Sequence, residues 1–200
     1  MIKNIIFDIG RVLVGFNWQK YICDRYGEET GMILRKAIWG HGYWQQLDYG
    51  ILPEEEIIEN FIRFAPEYAE QIRDGFLNTG DCMSRLDYAI PWMKELKERG
   101  YNVYFLSNYS PFLIRIRPDV LDFIPFMDGG IFSCDVHVCK PDRAIYEMLC
   151  KKYDLKPEEC VFLDDRADNI GGAIAYGMKG IVFENREQAL KELEPMLQES

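Results

Sequence analysis

The spacing of hydrophobic residues divides the chain into two kinds of sequence. An apolar run, Ile5-Ile6-Phe7, lies near the N-terminus and ends at Asp8, which predicts a buried strand with a carboxylate at its C-terminal end. From about residue 86 onward, short apolar runs alternate with stretches of helical spacing. Strands that alternate with helices are typical of a parallel sheet with right-handed crossovers, so we expect an α/β fold.

The alternating part contains four further predicted strands and five predicted helices. The strands are residues 102–106, 130–133, 160–163 and 179–183. The helices are residues 88–99, 111–121, 141–153, 169–176 and 186–197, with Pro118 interrupting the second. Since parallel strands end at one edge of the sheet, we expect ligands and chemistry there.

Residues 16–85 have a different pattern. Apolar residues at helical spacing predict four helices, at 18–26, 32–47, 54–64 and 66–77, with no strand between them. We therefore expect a small helical bundle inserted after the first strand. The predicted organisation is a core domain of residues 1–15 and 86–200 and a helical cap domain of residues 16–85.

Composition and charge exclude several classes of function. Hydrophobic residues make up 48% of the chain, which excludes a disordered protein, and no apolar run is long enough to cross a membrane. The net charge of -10 argues against binding to nucleic acid. The N-terminus has no features of a secretion signal, and the six cysteines lack metal-site spacing. We expect a cytoplasmic protein with reduced thiols, as a monomer or weak homodimer.

Several polar side chains lie at the predicted carboxyl edge of the sheet. They are Asp8 after the first strand, Ser107 and Asn108 after the second, Asp164 and Asp165 after the fourth, and Lys140 before a helix. Each alone has a structural explanation as a helix cap, a turn or a solvated helix start. Their joint occurrence in this order is what indicates a functional site.

The chain resembles the haloacid dehalogenase (HAD) superfamily of hydrolases. The family's four motifs correspond to Phe7-Asp8-Ile9-Gly10-Arg11-Val12, Leu106-Ser107-Asn108, Lys140-Pro141-Asp142 and Phe162-Leu163-Asp164-Asp165-Arg166-Ala167-Asp168-Asn169. The chain is most similar to bacterial sugar-phosphate phosphatases of the glucose-1-phosphatase kind and to the phosphatase domain of soluble epoxide hydrolases. The resemblance implies a Rossmann-like parallel sheet with a helical cap inserted between the first and second motifs.

The resemblance also implies catalytic roles. Asp8 would attack phosphorus and form an aspartyl-phosphate, which water then hydrolyses. Ser107 and Asn108 would hold the transferring oxygens, and Lys140 would balance the negative charge. Most of this catalysis is positioning and electrostatics.

A Mg²⁺ ion is expected beside these residues. By resemblance, Asp8, Asp165 and the carbonyl of Gly10 would bind it directly, and Asp164 and Asn169 would bind it through water. The charges support a cation independently, because two like charges about 4 Å apart repel by roughly 4 kcal/mol at an effective dielectric near 20. Mg²⁺ prefers such oxygen ligands and bridges to phosphate.

Gly10 departs from the family pattern. Most phosphatases of the superfamily carry a second aspartate there, which protonates the leaving oxygen, and such acid–base help contributes about 10²- to 10⁴-fold. Our hypothesis is a substrate with a good leaving group, such as an anomeric oxygen, or one whose hydroxyls and ordered water replace the acid. Gly10 argues against a phosphomutase.

Four further residues are candidate substrate contacts. They are His41, Trp44 and Gln45 in the predicted cap and His137 before the motif lysine. Trp44 is also explained as part of the bundle core, and His137 as a loop side chain in solvent.

These observations favour a Mg²⁺-dependent phosphomonoesterase that acts on a small phosphorylated metabolite, with a sugar phosphate as the expected substrate. One alternative is a catalytically impaired binding or regulatory protein on the same fold. A 2-haloacid dehalogenase is a further alternative, but its chemistry needs no metal and fits the paired Asp164 and Asp165 poorly.

Overall fold

The computed structural model describes residues 1–198 and contains a parallel sheet of five strands in the order β5-β4-β1-β6-β7. The strands are β1 (Asn4–Phe7), β2 (Val14–Phe16), β3 (Met83–Arg85), β4 (Asn102–Ser107), β5 (Gly129–Phe132), β6 (Cys160–Asp164) and β7 (Lys179–Val182). All neighbours in the large sheet are parallel. The expected α/β fold is confirmed, and each of its five predicted strands is present.

The helices are α1 (Trp18–Tyr26), α2 (Glu28–Trp39), α3 (Tyr43–Tyr49), α4 (Glu54–Ile62), α5 (Ala69–Leu77), α6 (Ala89–Glu98), α7 (Pro111–Ile116), α8 (Ser133–Val136), α9 (Arg143–Tyr153), α10 (Ala167–Tyr176) and α11 (Arg186–Gln198). None of the helices described here is long and apolar enough to cross a membrane. The cytoplasmic location and the oligomeric state stay predictions.

Strand β1 is apolar on both faces because both faces of the sheet are covered. Ile5 and Phe7 point into one buried cluster and Ile6 into another. The register pairs Phe7 with Phe105 on one side and with Leu163 on the other. Asp8 therefore leaves the sheet level with the ends of β4 and β6.

The helical insert, α1 to α5, follows β2 and precedes β3. The prediction of a single helix over residues 32–47 is wrong, because the chain breaks after α2 and starts again at α3. Gly42 between them has a φ of 77°, a left-handed conformation that favours glycine. The insert therefore has five helices where the hydrophobic spacing predicted four.

Strands β2 and β3 form a separate antiparallel pair that the sequence pattern did not predict. Val14 pairs with Arg85 and Phe16 with Met83, so the chain enters and leaves the insert side by side. Each strand has three residues, too few for a recognisable alternation. The predicted domain boundaries lie at these strands and stay a prediction.

The predicted helix over residues 111–121 is shorter than expected. Helix α7 ends at Ile116, and a 3₁₀ turn, Pro118–Leu121, follows it. Arg117 between them has φ -139° and ψ 59°, because proline disfavours the helical conformation in the preceding residue.

Candidate active site

A cavity of about 530 Å³ lies between the carboxyl edge of the sheet and the helical insert. The sheet side contributes Asp8, Gly10, Arg11, Asn108, Cys139, Lys140, Asp165, Arg166 and Asn169, and the other side contributes Phe16, Trp18, Trp39, Trp44, Gln45, Asp48 and Tyr49. Most of the predicted strand-end residues therefore line one cavity together with aromatic side chains of the insert.

Lys140 is fully buried and connects two carboxylates. Its Nζ donates to Asp8 Oδ1 at 2.9 Å, to Asp164 Oδ2 at 2.6 Å and to the carbonyl of Leu106 at 2.8 Å. An ammonium group has three donors, so all of them are used. Burial alone would lower the Lys140 pKa, but Asp8 and Asp164 outweigh it and the pKa is raised. The lysine is therefore a fixed positive charge.

Asp8 is held through one of its two oxygens. Oδ1 accepts from Ser107 Oγ at 2.6 Å and from Lys140, and no hydrogen bond within residues 1–198 reaches Oδ2. Burial raises the Asp8 pKa to about 6, with Lys140 opposing the shift and Asp164 adding to it. A bound cation would reverse this shift, since it favours the carboxylate.

Asp164 is completely buried, and its hydrogen bonds fix the start of α10. Beside Lys140, it accepts from the backbone N–H of Arg166 at 2.8 Å and from Asn169 Nδ2 at 3.0 Å. Both of its oxygens therefore already have donors. This occupancy agrees with contact to a metal through water.

Two observations test whether a divalent cation fits this site. One oxygen from each of Asp8, Asp164 and Asp165 lies within 4.8 Å of the others. In addition, the buried Oδ1 of Asn169 has no hydrogen-bond partner among residues 1–198, while the Nδ2 of the same amide donates to Asp164. A buried acceptor without a donor is costly unless a water or cation meets it. The residues fit a divalent cation.

Arg11 is a site residue that the sequence analysis did not select. Its Nη1 lies 3.0 Å from Asp165 Oδ2, and its φ of 61° is unusual for a residue other than glycine. Burial raises the Asp165 pKa and Arg11 opposes the shift. The available signal was a cation directly after Gly10, inside the first motif.

Ser107 and Asn108 lie at the site, but their polar groups are engaged. Ser107 is buried behind Asp8, to which it donates. Asn108 Oδ1 accepts from the backbone N–H of Lys140 at 2.8 Å, and its Nδ2 donates to the carbonyl of Lys140 at 3.0 Å. The asparagine therefore joins the end of β4 to the loop that carries the lysine.

A family model described as haloacid dehalogenase-like hydrolase matches residues 2–177. The chain belongs to this family. This result confirms the resemblance that the four motifs indicated. The family relationship agrees with the position of Asp8 directly after the central strand and with the buried Lys140 beside it.

Several known proteins are similar to this HAD-like hydrolase. Flavin mononucleotide hydrolase 1 of Arabidopsis thaliana is 28% identical over 75% of this chain and 60% of its own. The D-ribitol-5-phosphate phosphatase of Bacteroides thetaiotaomicron is 26% identical over 98% of this chain and 99% of its own. The crystal structure of the HAD family enzyme bt-2542 from Bacteroides thetaiotaomicron, in complex with magnesium and inorganic phosphate, has a TM-score of 0.73 and 18% identity, over 94% of this chain and 99% of that one.

The chain spans less than two thirds of the length of the first curated relatives that it matches, at 60%, 36% and 19% of their residues. It nevertheless spans almost the whole of the ribitol-phosphate phosphatase. The structural likeness at 18% identity shows that the fold is shared.

The aromatic side chains of the insert serve both packing and the cavity. Trp39 stacks on Trp18 with ring centroids 3.8 Å apart and lies 5.1 Å from Trp44. Trp44 also contacts Phe16 at 5.9 Å. Both explanations given for Trp44, core packing and a wall of the site, therefore describe its position.

The structure does not bring the two histidines into the cavity of this HAD-like hydrolase. His41 stacks on Phe64 at 3.5 Å, in the break between α2 and α3. The His137 ring is exposed, and its Nδ1 contacts the carbonyl of Tyr49 at 2.7 Å. Of the four predicted substrate contacts, Trp44 and Gln45 line the cavity.

Asp48 is a second cavity residue that the sequence analysis did not select. Burial, followed by the charge of Asp8, raises its pKa to about 7, against the opposing charges of Lys140 and Arg166. The helical spacing indicated this position, because Asp48 is four residues after Trp44 and therefore lies on the same face of α3.

Proposed function

We propose that this HAD-like hydrolase is a Mg²⁺-dependent phosphomonoesterase that acts on a small phosphorylated metabolite, with a sugar phosphate as the favoured class. The observation that carries the proposal is the cluster of three carboxylates, Asp8, Asp164 and Asp165, of which the first two contact the buried ammonium of Lys140. Even with Arg11 beside Asp165, three carboxylates face two cations, so negative charge exceeds positive charge at the site and a further cation stabilises it.

The proposed ligands are those that the family resemblance implies. Asp8, Asp165 and the carbonyl of Gly10 would bind Mg²⁺ directly, and Asp164 and Asn169 would bind it through water. The partnerless Asn169 Oδ1 supports this assignment. When bound, Mg²⁺ neutralises phosphate charge and orients the phosphoryl group.

Asp8 is the proposed nucleophile. Ser107 and Lys140 hold Oδ1, which fixes the carboxylate and leaves Oδ2 for attack on phosphorus. Attack breaks the ester bond and gives an aspartyl-phosphate, and attack by water on that phosphorus regenerates Asp8. Lys140 reduces the repulsion between the carboxylate and the incoming phosphate.

The helical insert supports a small substrate. As the proposed cap, it lines one side of the 530 Å³ cavity, a volume that suits a small metabolite. The ring of Trp44 offers a surface on which a sugar can pack, and Gln45 can bond a hydroxyl group. Similarity to a D-ribitol-5-phosphate phosphatase supports a sugar or polyol phosphate as the class.

Phosphate release from a panel of sugar, polyol, glycolytic and nucleotide monophosphates, flavin mononucleotide included, tests the proposal. Wild type and Asp8→Asn are compared with Mg²⁺ and with EDTA. We expect Mg²⁺-dependent release that is lost in Asp8→Asn, although this variant keeps its fold. A folded wild type that binds Mg²⁺ but hydrolyses nothing would support the binding-protein alternative instead.

A further inference from the structure

Cleavage of an alkyl phosphate releases an alkoxide, a strong base that needs a proton. Gly10 supplies none, and a Cβ built there would meet no atom within 4 Å, so the adjacent space is open to the cavity. Among the described acids that line the cavity, Asp8 is the proposed nucleophile and Asp165 pairs with Arg11. Asp48 is the carboxyl group without an assigned task.

We propose that Asp48 of the helical insert is the general acid and base of this site, which donates a proton to the leaving oxygen and then takes one from the attacking water. The inference rests on the proposed phosphatase function and adds a catalytic residue to it. Acid–base catalysis would then come from the insert, and nucleophilic attack from the sheet.

The main chain around Asp48 is fixed on the core at three consecutive residues. Ser133 Oγ donates to the Asp48 carbonyl at 2.5 Å, and the His137 ring contacts the carbonyl of Tyr49 at 2.7 Å. Gly50 has a φ of 64°, and a Cβ there would lie 2.9 Å from Cys134 Cβ. The end of α3 is therefore docked against α8, which positions the Asp48 side chain relative to Asp8.

The carboxyl group itself is unpartnered. Ser133 bonds only its main chain, and no hydrogen bond or ion pair within residues 1–198 reaches the Asp48 side chain. Asp48 is half-buried, and a carboxylate partly removed from water without a partner favours its neutral form, so the pKa of Asp48 is raised to about 7. Near neutral pH the group therefore exchanges a proton readily, as an acid–base catalyst must.

The charge environment of Asp48 comes from both sides of the cavity. The titratable groups that face it are Asp8, Tyr49, Tyr109, Cys134, Cys139, Lys140 and Arg166. The pKa is raised for both tyrosines and both cysteines, mainly by burial and for Tyr49 by Cys139, so these four stay neutral near pH 7. Asp8 is the negative neighbour, and Lys140 and Arg166 are the positive ones.

The two half-reactions balance with Asp48 in this role. In the first, Asp8 forms a bond to phosphorus, the bond from phosphorus to the ester oxygen breaks, and that oxygen takes the Asp48 proton to leave as an alcohol. In the second, water attacks the phosphorus, its proton passes to the Asp48 carboxylate, and the bond from phosphorus to Asp8 breaks. Inorganic phosphate leaves, and both aspartates return to their starting states.

Leaving-group dependence tests the inference. The kcat of wild type, Asp48→Asn and Asp48→Glu is measured on the best alkyl phosphate of the panel, with ribitol 5-phosphate as the first choice, and on p-nitrophenyl phosphate, whose leaving group needs little protonation. We expect Asp48→Asn to slow the alkyl phosphate about 10²- to 10⁴-fold and p-nitrophenyl phosphate only a few-fold. Asp48→Glu retains a higher kcat on the alkyl phosphate than Asp48→Asn does. The wild-type kcat on this substrate falls as the pH rises above the pKa of Asp48, and this fall is absent in Asp48→Asn. Asp135→Asn, an exposed acid on α8, is the matched control and keeps both rates.

Equal slowing of both substrates in Asp48→Asn, or an unchanged pH profile, would overturn the acid–base role while leaving the phosphatase proposal intact. Failure of the wild type to hydrolyse any phosphate would overturn both. The two failures are therefore distinguishable in one set of assays.

Discussion

Lys140 donates from one ammonium group to both Asp8 and Asp164, at 2.9 and 2.6 Å, and these carboxylates belong to the ends of neighbouring strands. Because the lysine side chain is fully buried, its charge strongly reduces the repulsion between the Asp8 and Asp164 carboxylates at these strand ends.

Lys140→Met removes this cation and leaves two buried carboxylates without their partner. We expect the free energy of unfolding, measured by urea denaturation in EDTA at pH 7, to fall by about 3–5 kcal/mol. Lys20→Met, which removes the cation of an exposed pair with Asp24, is the control and changes it by less than about 1 kcal/mol. Similar losses in the two variants would show that Lys140 does not stabilise the strand ends.

Arg11→Gly removes a guanidinium that competes for Asp165. We expect Mg²⁺ to bind several-fold more tightly by isothermal titration calorimetry, because the carboxylate is freed and a positive neighbour is lost. The stability changes by no more than about 1 kcal/mol, since loss of an ion pair whose arginine is largely exposed is offset by relief of the left-handed conformation. Unchanged or weaker Mg²⁺ binding would contradict this account. Arg115→Gly, at a distant exposed pair with Glu54, is the control.

The variants Gln45→Ala and His41→Ala compare a residue that lines the cavity with one that lies outside it. Gln45 lines the cavity, so we expect its loss to raise KM for the preferred sugar phosphate and to leave KM for p-nitrophenyl phosphate nearly unchanged. His41 stacks on Phe64 outside the cavity, so His41→Ala keeps both constants. A KM effect from His41 alone would mean that the binding surface extends beyond the lining residues.

The raised pKa of Asp48, about 7 against an ordinary 3.8, links its proton to stability. The folded state binds the proton more tightly than the unfolded state, so this stabilisation is complete below pH 3.8 and is lost as the pH rises to about 7. We expect Asp48→Asn to gain stability relative to wild type over this range in EDTA, with a constant difference above it. Denaturation curves at a series of pH values measure it, and parallel pH profiles for the two proteins would contradict the linkage.

The strand ends were predictable because their signals are local. In each case an apolar run is followed directly by polar residues, as at Asp8 and after β4 and β6. Parallel pairing of these strands then places the polar residues at the same edge of the sheet. The helix break at Gly42 and the pair β2 and β3 were not predicted, since short apolar segments carry too few positions to show a period.

The insert's contribution to the site was less predictable, because it depends on how distant segments pack. Asp48 lines the cavity with its main chain docked on Ser133, which is 85 residues away in the sequence. His137 was considered for substrate binding, whereas its ring contacts the carbonyl of Tyr49. The spacing of residues along the sequence does not indicate such contacts between distant segments.

The pairing of β2 with β3 restricts how the insert can move. Hydrogen bonds from Leu86 to Leu13 and from Asn17 to Cys82 extend the connection on either side of the paired strands. Two separate linkers would allow the insert to twist and slide, and the hydrogen bonds between the paired strands oppose both motions. The contact of Ser133 with the Asp48 carbonyl attaches the insert to the core at a second place, so Asp48 and Trp44 are held over the cavity by both attachments.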